Sequence, residues 1–235
     1  RFGMSKFDST QKIGEIVNAF PKSADLFKEY KIDFCCGGNR PLSEAIKEKN
    51  VNGTELLEKL NAAYESYEEG AKGKTWGEAP TGEIVEQILN KHHAYLWSEL
   101  PKISKLTTLI LRVHGPHHPE LANVNKLFHT IKMDLEEHLA KEESIQYPAI
   151  AEFEKSNFRE DLVKAVQIID ELEKEHTNAG DILKQLRAVT NDYTLPDDAC
   201  ETYAKTYDKL KEMESDIFQH IHLENNILFP RLRNL

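Results

Sequence analysis

One segment of the chain occurs twice. His138-x-x-x-Glu142-x-x-Ile145-x-Tyr147-Pro148 matches His220-x-x-x-Glu224-x-x-Ile227-x-Phe229-Pro230 position for position. The apolar residues leading into each copy step by three and four: Val124, Phe128, Ile131 and Leu135 precede His138, and Leu210, Met213 and Ile217 precede His220. Such steps return to one face of an α-helix. The pattern therefore predicts two helices, each carrying a His/Glu pair on its buried face, with Ile145, Ala149 and Ile227 continuing the stripes. An ionised Glu in a dry core is costly unless something compensates it. The duplication thus calls for a helical core with a positive charge at its centre.

Two further stripes supply imidazoles. Leu162, Val166, Ile169 and Leu172 lead to His176, then Ala179 and Leu183; Val85 and Leu89 lead to His93, then Leu96 and Leu100, with His92 one step around. From His93 to His138 is 45 residues and from His176 to His220 is 44. Each half then reads as a helical hairpin giving one His from its first helix and a His/Glu pair from its second. Two hairpins make a pseudo-twofold centre of four imidazoles and two carboxylates. Against this stands an ordinary core of hydrogen-bonded histidines; a lone H-x-x-x-E would favour that, whereas two copies with identical flanks favour a metal. Imidazole plus carboxylate suits iron, manganese or zinc, and two carboxylates placed to bridge favour a pair of ions. With two six-coordinate irons, these ligands and an oxo or hydroxo bridge would fill about 10 of 12 positions, leaving room for a small molecule such as O2 or NO.

The fold class follows: all-α, with a small N-terminal helical domain (1–70), a linker (71–81) and a C-terminal antiparallel four-helix bundle (82–235). Helices are expected near 10–19, 21–30, 41–49 and 54–68, then 82–110, 119–153, 158–190 and 197–231. Ser9 or Thr10 would cap the first, and Pro21 and Pro41 suit first helical turns. Glycines at 70, 73, 77 and 82 with Pro80 argue for the linker. Short breaks between long helices favour an up-down bundle. All ten histidines lie between 92 and 222, so histidine chemistry belongs to the bundle.

Lys and Arg number 30 against 40 Asp and Glu, a formal charge of −10, which argues against nucleic acid as a partner. No uncharged apolar run approaches the ~18 residues of a bilayer span, and no basic-then-apolar leader suggests a signal peptide. Arg1-Phe2-Gly3 before Met4 reads as a cloning remnant. The cysteines Cys35, Cys36 and Cys200 form neither a disulfide framework nor a zinc knuckle. A cytoplasmic, reducing setting is expected.

With the bundle pattern behind it and Asp33-Phe34-Cys35-Cys36-Gly37-Gly38 in front, the chain resembles the di-iron proteins that repair iron–sulfur clusters (the RIC family), whose bundle is hemerythrin-like. The resemblance covers nearly all of residues 5–233. It implies a non-haem di-iron centre held by His93, His138, Glu142, His176, His220 and Glu224, with oxo or hydroxo and carboxylate bridges. It also implies restoration, in the cytoplasm, of clusters damaged by nitric oxide or peroxide, by donating iron, reducing NO, or both, with damaged iron–sulfur proteins as partners and a homodimer through the first block. Oxygen-carrying hemerythrins resemble the bundle alone and use one more histidine; no fifth histidine falls on a core stripe here. An O2- or NO-binding module without repair activity is the alternative.

The same resemblance gives Cys35 and Cys36 a redox or iron-relay role, against two small residues in a loop. A bridge between neighbouring cysteines needs a strained ring, so a structural disulfide is not expected. His92 is the rival of His93. His114, His117 and His118 read as solvated loop residues, with His114 also a candidate guard or transient iron ligand. His129 reads as exposed, His222 as surface or as support to a ligand, Glu137 and Glu143 as solvated, Cys200 as an inert helix residue, and Trp76 as packing.

Overall fold

The structure, a computed structural model, describes residues 6–68 and 75–235. Arg1-Phe2-Gly3 and positions 71–74 of the expected linker lie outside the described residues. No β-strand occurs among the described residues; one isolated bridge joins Lys12 and Pro41. The chain divides into two compact units, residues 1–84 with 221–235, and residues 85–220.

In the first unit, α1 (Ile13–Ala19), α2 (Ser23–Glu29) and α3 (Leu42–Lys49) are short and α4 (Gly53–Glu68) is longer; tertiary burial rather than propensity holds the short ones. Ile13, Ile16, Val17, Phe20, Phe27, Leu42, Leu56 and Leu60 are buried together with Phe7 and Phe34, and Tyr64 meets Phe7 and Phe20 edge-on at 5.1 and 5.4 Å. Ser9 and Thr10 do not cap α1, which starts three residues later than Thr10: Asp8 accepts the backbone N–H and hydroxyl of Thr10 in a turn of its own. Pro21 likewise precedes α2, whose first residue Ser23 bonds back to the Phe20 carbonyl.

The carboxyl-terminal rod is part of this unit. Residues 224–228 form a π turn, and α12 (Phe229–Arg233) follows with Pro230 near its start. Pro230 has no N–H to give to the carbonyl four residues back. That carbonyl, on Asn226, instead accepts from Asn18 Nδ2 at 3.0 Å. Asn226 Nδ2 donates to the Phe34 carbonyl at 2.7 Å. A Cβ on Gly38 would lie 2.5 Å from the Phe34 carbonyl oxygen and 2.6 Å from Asn226 Oδ1, and one on Gly14 would lie 2.7 Å from Asn226. Glycine is therefore required on both sides of this inserted amide.

The second unit is an antiparallel four-helix bundle. Its rods are α5 (Thr81–Gln87) with α6 (Ala94–His114), α7 (Glu120–Lys141) with α8 (Tyr147–Ser156), α9 (Arg159–Gln167) with α10 (Ile169–Val189), and α11 (Glu201–Leu223) as far as His220. α6 packs on α7, and α7 on α10. Arg187 of α10 clasps Glu214 of α11, and Lys209 of α11 returns to Glu99 of α6. Leu100, Ile103, Val124, Phe128, Ile131, Leu172, Leu186, Leu210 and Met213 fill the interior. The last connection is built from Asn191, Asp192 and Tyr193, all left-handed at φ 50–57°; Thr190 Oγ1 takes the Tyr193 N–H, and the Tyr193 ring is buried against Tyr207.

The register departs from the sequence stripes at π turns. Residues Ile88–His93 and Glu142–Gln146 are π-helical. Each such turn accommodates one residue more than an α-turn, so the buried face shifts by one. Ile145, expected inside, is 48% exposed while Gln146 is fully buried. Ile84 and Ile88 are buried where Val85 and Leu89 were expected. Helix ends shift too: α6 runs on through His114 and α11 begins at Glu201, beyond 197.

Candidate metal centre

The π turn starting at Glu142 follows directly from α7, so His138 and Glu142 face inward one turn apart, both essentially inaccessible. Around Glu142 Oε1 stand three imidazole nitrogens: His138 Nε2 at 2.9 Å, His93 Nε2 at 3.4 Å and His220 Nε2 at 3.5 Å. His176 Nε2 lies 3.1 Å from His138 Nε2, and His93 Nε2 lies 3.3 Å from His220 Nε2. His93, Glu142 and His220 thus form one group of converging ligand atoms, and His138, Glu142 and His176 are part of another. Glu224, the remaining expected ligand, is fully buried four residues beyond His220, at the start of the next π turn.

The outer nitrogens are held from behind. His138 Nδ1 meets Glu175 Oε1 at 2.7 Å, and Glu175 Oε2 takes Lys141 Nζ at 2.6 Å. His93 Nδ1 meets Glu143 Oε2 at 3.1 Å, which also accepts from Trp97 Nε1 at 2.8 Å. Such partners fix the tautomer and turn Nε2 toward the centre. Tyr147 Oη donates to Glu142 Oε2 at 3.0 Å. Burial opposes charge throughout: it drives His220 well below the usual imidazole range, with the Glu142 carboxylate only partly offsetting it. At His138 burial is outweighed by Glu142 and Glu175, which push it up to about 9. Burial would raise Glu142, but His138, His220 and His93 hold it well below the carboxylate range.

Glu142 Oε1 tests whether these residues suit a cation. It is fully buried, three imidazoles surround it, and no hydrogen bond of good geometry reaches it. Buried polar atoms are nearly always satisfied. Nitrogens aimed pairwise at one another around an orphaned carboxylate oxygen are what a divalent cation would satisfy, and an imidazole–carboxylate donor set fits iron, manganese or zinc.

Several other residues differ from expectation. His92 is buried as well, because the π turn brings both neighbours inside, so a fifth histidine does lie in the core. It is engaged elsewhere: Nδ1 meets Asp216 Oδ1 at 2.8 Å and its ring stacks nearly parallel on His220 at 5.9 Å. Glu143 is exposed yet bonded to His93. His129 is half-buried between Ser104 and the Asn125 carbonyl. His222 is buried against Phe34, accepts from Asn226, and is lowered to about 4 by burial. His114 and Cys200 pair at 3.2 Å, with Cys200 exposed just before α11. His118 binds Asp198 at 2.8 Å, so it is no simple solvated loop residue. In the first unit, Cys35 is buried and Cys36 half-buried, and both thiols are free.

The sequence matches two family models: ScdA_N, a domain of unknown function (DUF542), over residues 9–64, and the hemerythrin HHE cation binding domain over residues 85–232. Among curated proteins it is 33% identical to the iron–sulfur cluster repair protein ScdA of Staphylococcus haemolyticus over 93% of this chain and 96% of that protein. It is 34% identical to a probable iron–sulfur cluster repair protein of Haemophilus influenzae, over 95% and 97%. The iron–sulfur cluster repair protein YtfE of Citrobacter koseri is 32% identical over 94% and 96%.

Proposed function

Because the chain belongs to the hemerythrin HHE cation-binding family, and within it to the iron–sulfur cluster repair proteins that carry an ScdA_N domain in front, we propose that it restores iron–sulfur clusters damaged by nitrosative or oxidative stress in the cytoplasm. One observation carries the reading: two pairs of imidazoles converge on the fully buried carboxylate of Glu142. We assign His93, His138, Glu142, His176, His220 and Glu224 as the residues that would hold a pair of irons. Iron there would supply ferrous–ferric chemistry and open positions for NO or O2.

The chain's own residues set the conditions for that chemistry. Glu175 and Glu143 hold the His138 and His93 rings by their Nδ1 atoms. Tyr147 hydrogen-bonds the outer oxygen of Glu142 and keeps the other turned inward. The ligands are 0–3% exposed, which keeps bulk water from competing at the centre. An iron released from this set becomes cargo for the damaged cluster.

The ligand assignment is tested by metal analysis. His176→Ala and Glu142→Ala lose metal and His129→Ala retains it; equal content in all three refutes the assignment. For function, the iron-loaded protein is mixed with an NO-damaged cluster enzyme while recovered activity, iron loss and N2O are followed together. Recovery with iron loss marks a donor, N2O turnover marks an NO reductase, and gas binding without recovery marks a binding module and overturns the repair reading.

A further inference from the structure

The first unit holds a second convergence of ligand atoms, on the loop between α2 and α3. A carboxylate oxygen of Asp33 and the sulfurs of Cys35 and Cys36 all lie within 4.8 Å of one another. The loop is fixed rather than loose. Asp33 Oδ1 accepts the backbone N–H groups of Cys35 and Cys36, each at 3.0 Å, and the Cys35 thiol at 3.3 Å. Its carbonyls are pinned from two sides: Phe34 and Cys35 by the side chains of Asn226 and Asn225, and Gly38 by the Gly14 N–H at 2.8 Å. The nearby cation, Arg40, is paired with Glu48.

We propose that Asp33, Cys35 and Cys36 form a separate binding site for one thiophilic divalent cation, of the class of Fe2+ or Zn2+. Two sulfurs and one oxygen select such ions over Mg2+ or Ca2+, which prefer all-oxygen shells. Three protein ligands leave a fourth position for water or for a ligand of the recipient, the arrangement of an exchangeable site rather than a closed structural one. Binding breaks two S–H bonds, forms two metal–sulfur bonds and sends two protons to solvent; no electron is transferred. Without a cation Cys35 holds its proton: Cys36 beside it, burial and the Asp33 carboxylate together push it well above the usual thiol range. Occupancy is therefore expected to rise with pH. Its use as a hand-over point for iron rests on the repair reading; the site itself does not.

The test uses the full-length, reduced protein carrying Cys200→Ser, which removes the remaining thiol, titrated with Co2+. The bundle centre contains no sulfur, so a near-ultraviolet sulfur-to-cobalt band reports the loop alone. The expected result is one equivalent giving that band, lost in Cys36→Ser and weakened at least about tenfold in affinity in Asp33→Asn. Adding Glu142→Ala and His176→Ala, which empties the bundle, should leave the band in place, so loss of the bundle assignment would not touch it. Helical circular dichroism checks that each variant is folded. A folded, reduced parent with no band, or a band unchanged in Cys36→Ser and Asp33→Asn, overturns the proposal.

Discussion

Removing the carboxylate behind His138 should weaken metal binding without disturbing the fold. Glu175 Oε1 lies 2.7 Å from His138 Nδ1 and so aims Nε2 at Glu142, 2.9 Å away. In Glu175→Ala the ring keeps its place on α7 but loses the acceptor that fixes its tautomer and raises its basicity. Losses of such partners cost about 10- to 100-fold in metal affinity, or about 1.4–2.7 kcal/mol. Glu175 also binds Lys141, but Lys141 keeps Glu171 at 2.9 Å, so no cation is stranded. Glu143 plays the same part for His93 at a longer 3.1 Å and is 37% exposed, so Glu143→Ala should cost less. The assay is competition for Fe2+ or Co2+ against a chromophoric chelator, with thermal unfolding of the metal-free protein as control. Affinity in Glu175→Ala within about twofold of the parent, or a larger loss in Glu143→Ala, would refute the reasoning.

Other perturbations probe the scaffold. Gly38→Ala forces a Cβ to 2.5 Å from the Phe34 carbonyl and should destabilise the first unit by about 1–3 kcal/mol, read as a lower denaturant midpoint. Arg187→Ala strands the 6%-exposed carboxylate of Glu214 and should cost about 3 kcal/mol, the low end for a buried pair because Arg187 itself is 37% exposed. The double change Arg187→Ala/Glu214→Leu should be milder than the single one, measured by urea unfolding. Asp198 raises His118 above the ordinary imidazole range and is itself lowered in return. The pair's stabilisation is thus present at pH values between the two and fades both as pH rises through the His118 value and as it falls through that of Asp198. Histidine proton shifts followed by NMR should show His118 moving down toward the ordinary range in Asp198→Asn, with Glu120, 3.4 Å from Nδ1, still raising it.

Much of the centre was legible because its signal was doubled. Four stripes, two shared flanks and near-equal spacings picked out His93, His138, Glu142, His176, His220 and Glu224; the structure brings the first five within hydrogen-bonding reach of one another and buries Glu224. The stripes failed where a constant 3.6-residue period failed. Tyr147-Pro148 and Phe229-Pro230 follow π turns, and the prolines that mark the repeat, by withholding an N–H, are consistent with the widening. Hence Ile145 points to solvent and Gln146 inward, and His92 joins His93 inside. No periodicity argument could have given Glu175 or Glu143 their roles, since each supports a histidine on another helix.

The amino-acid sequence by itself determined the helical class, the duplicated His/Glu pattern and the inward direction of four imidazoles and two carboxylates, because these depend on local periodicity along single helices. Only the tertiary structure decided which carboxylates brace which rings, and that Asn226 enters between Gly14 and Gly38 to pin the cysteine loop. Those are contacts between residues 37 to 212 positions apart in the chain, and nothing but packing brings such residues together.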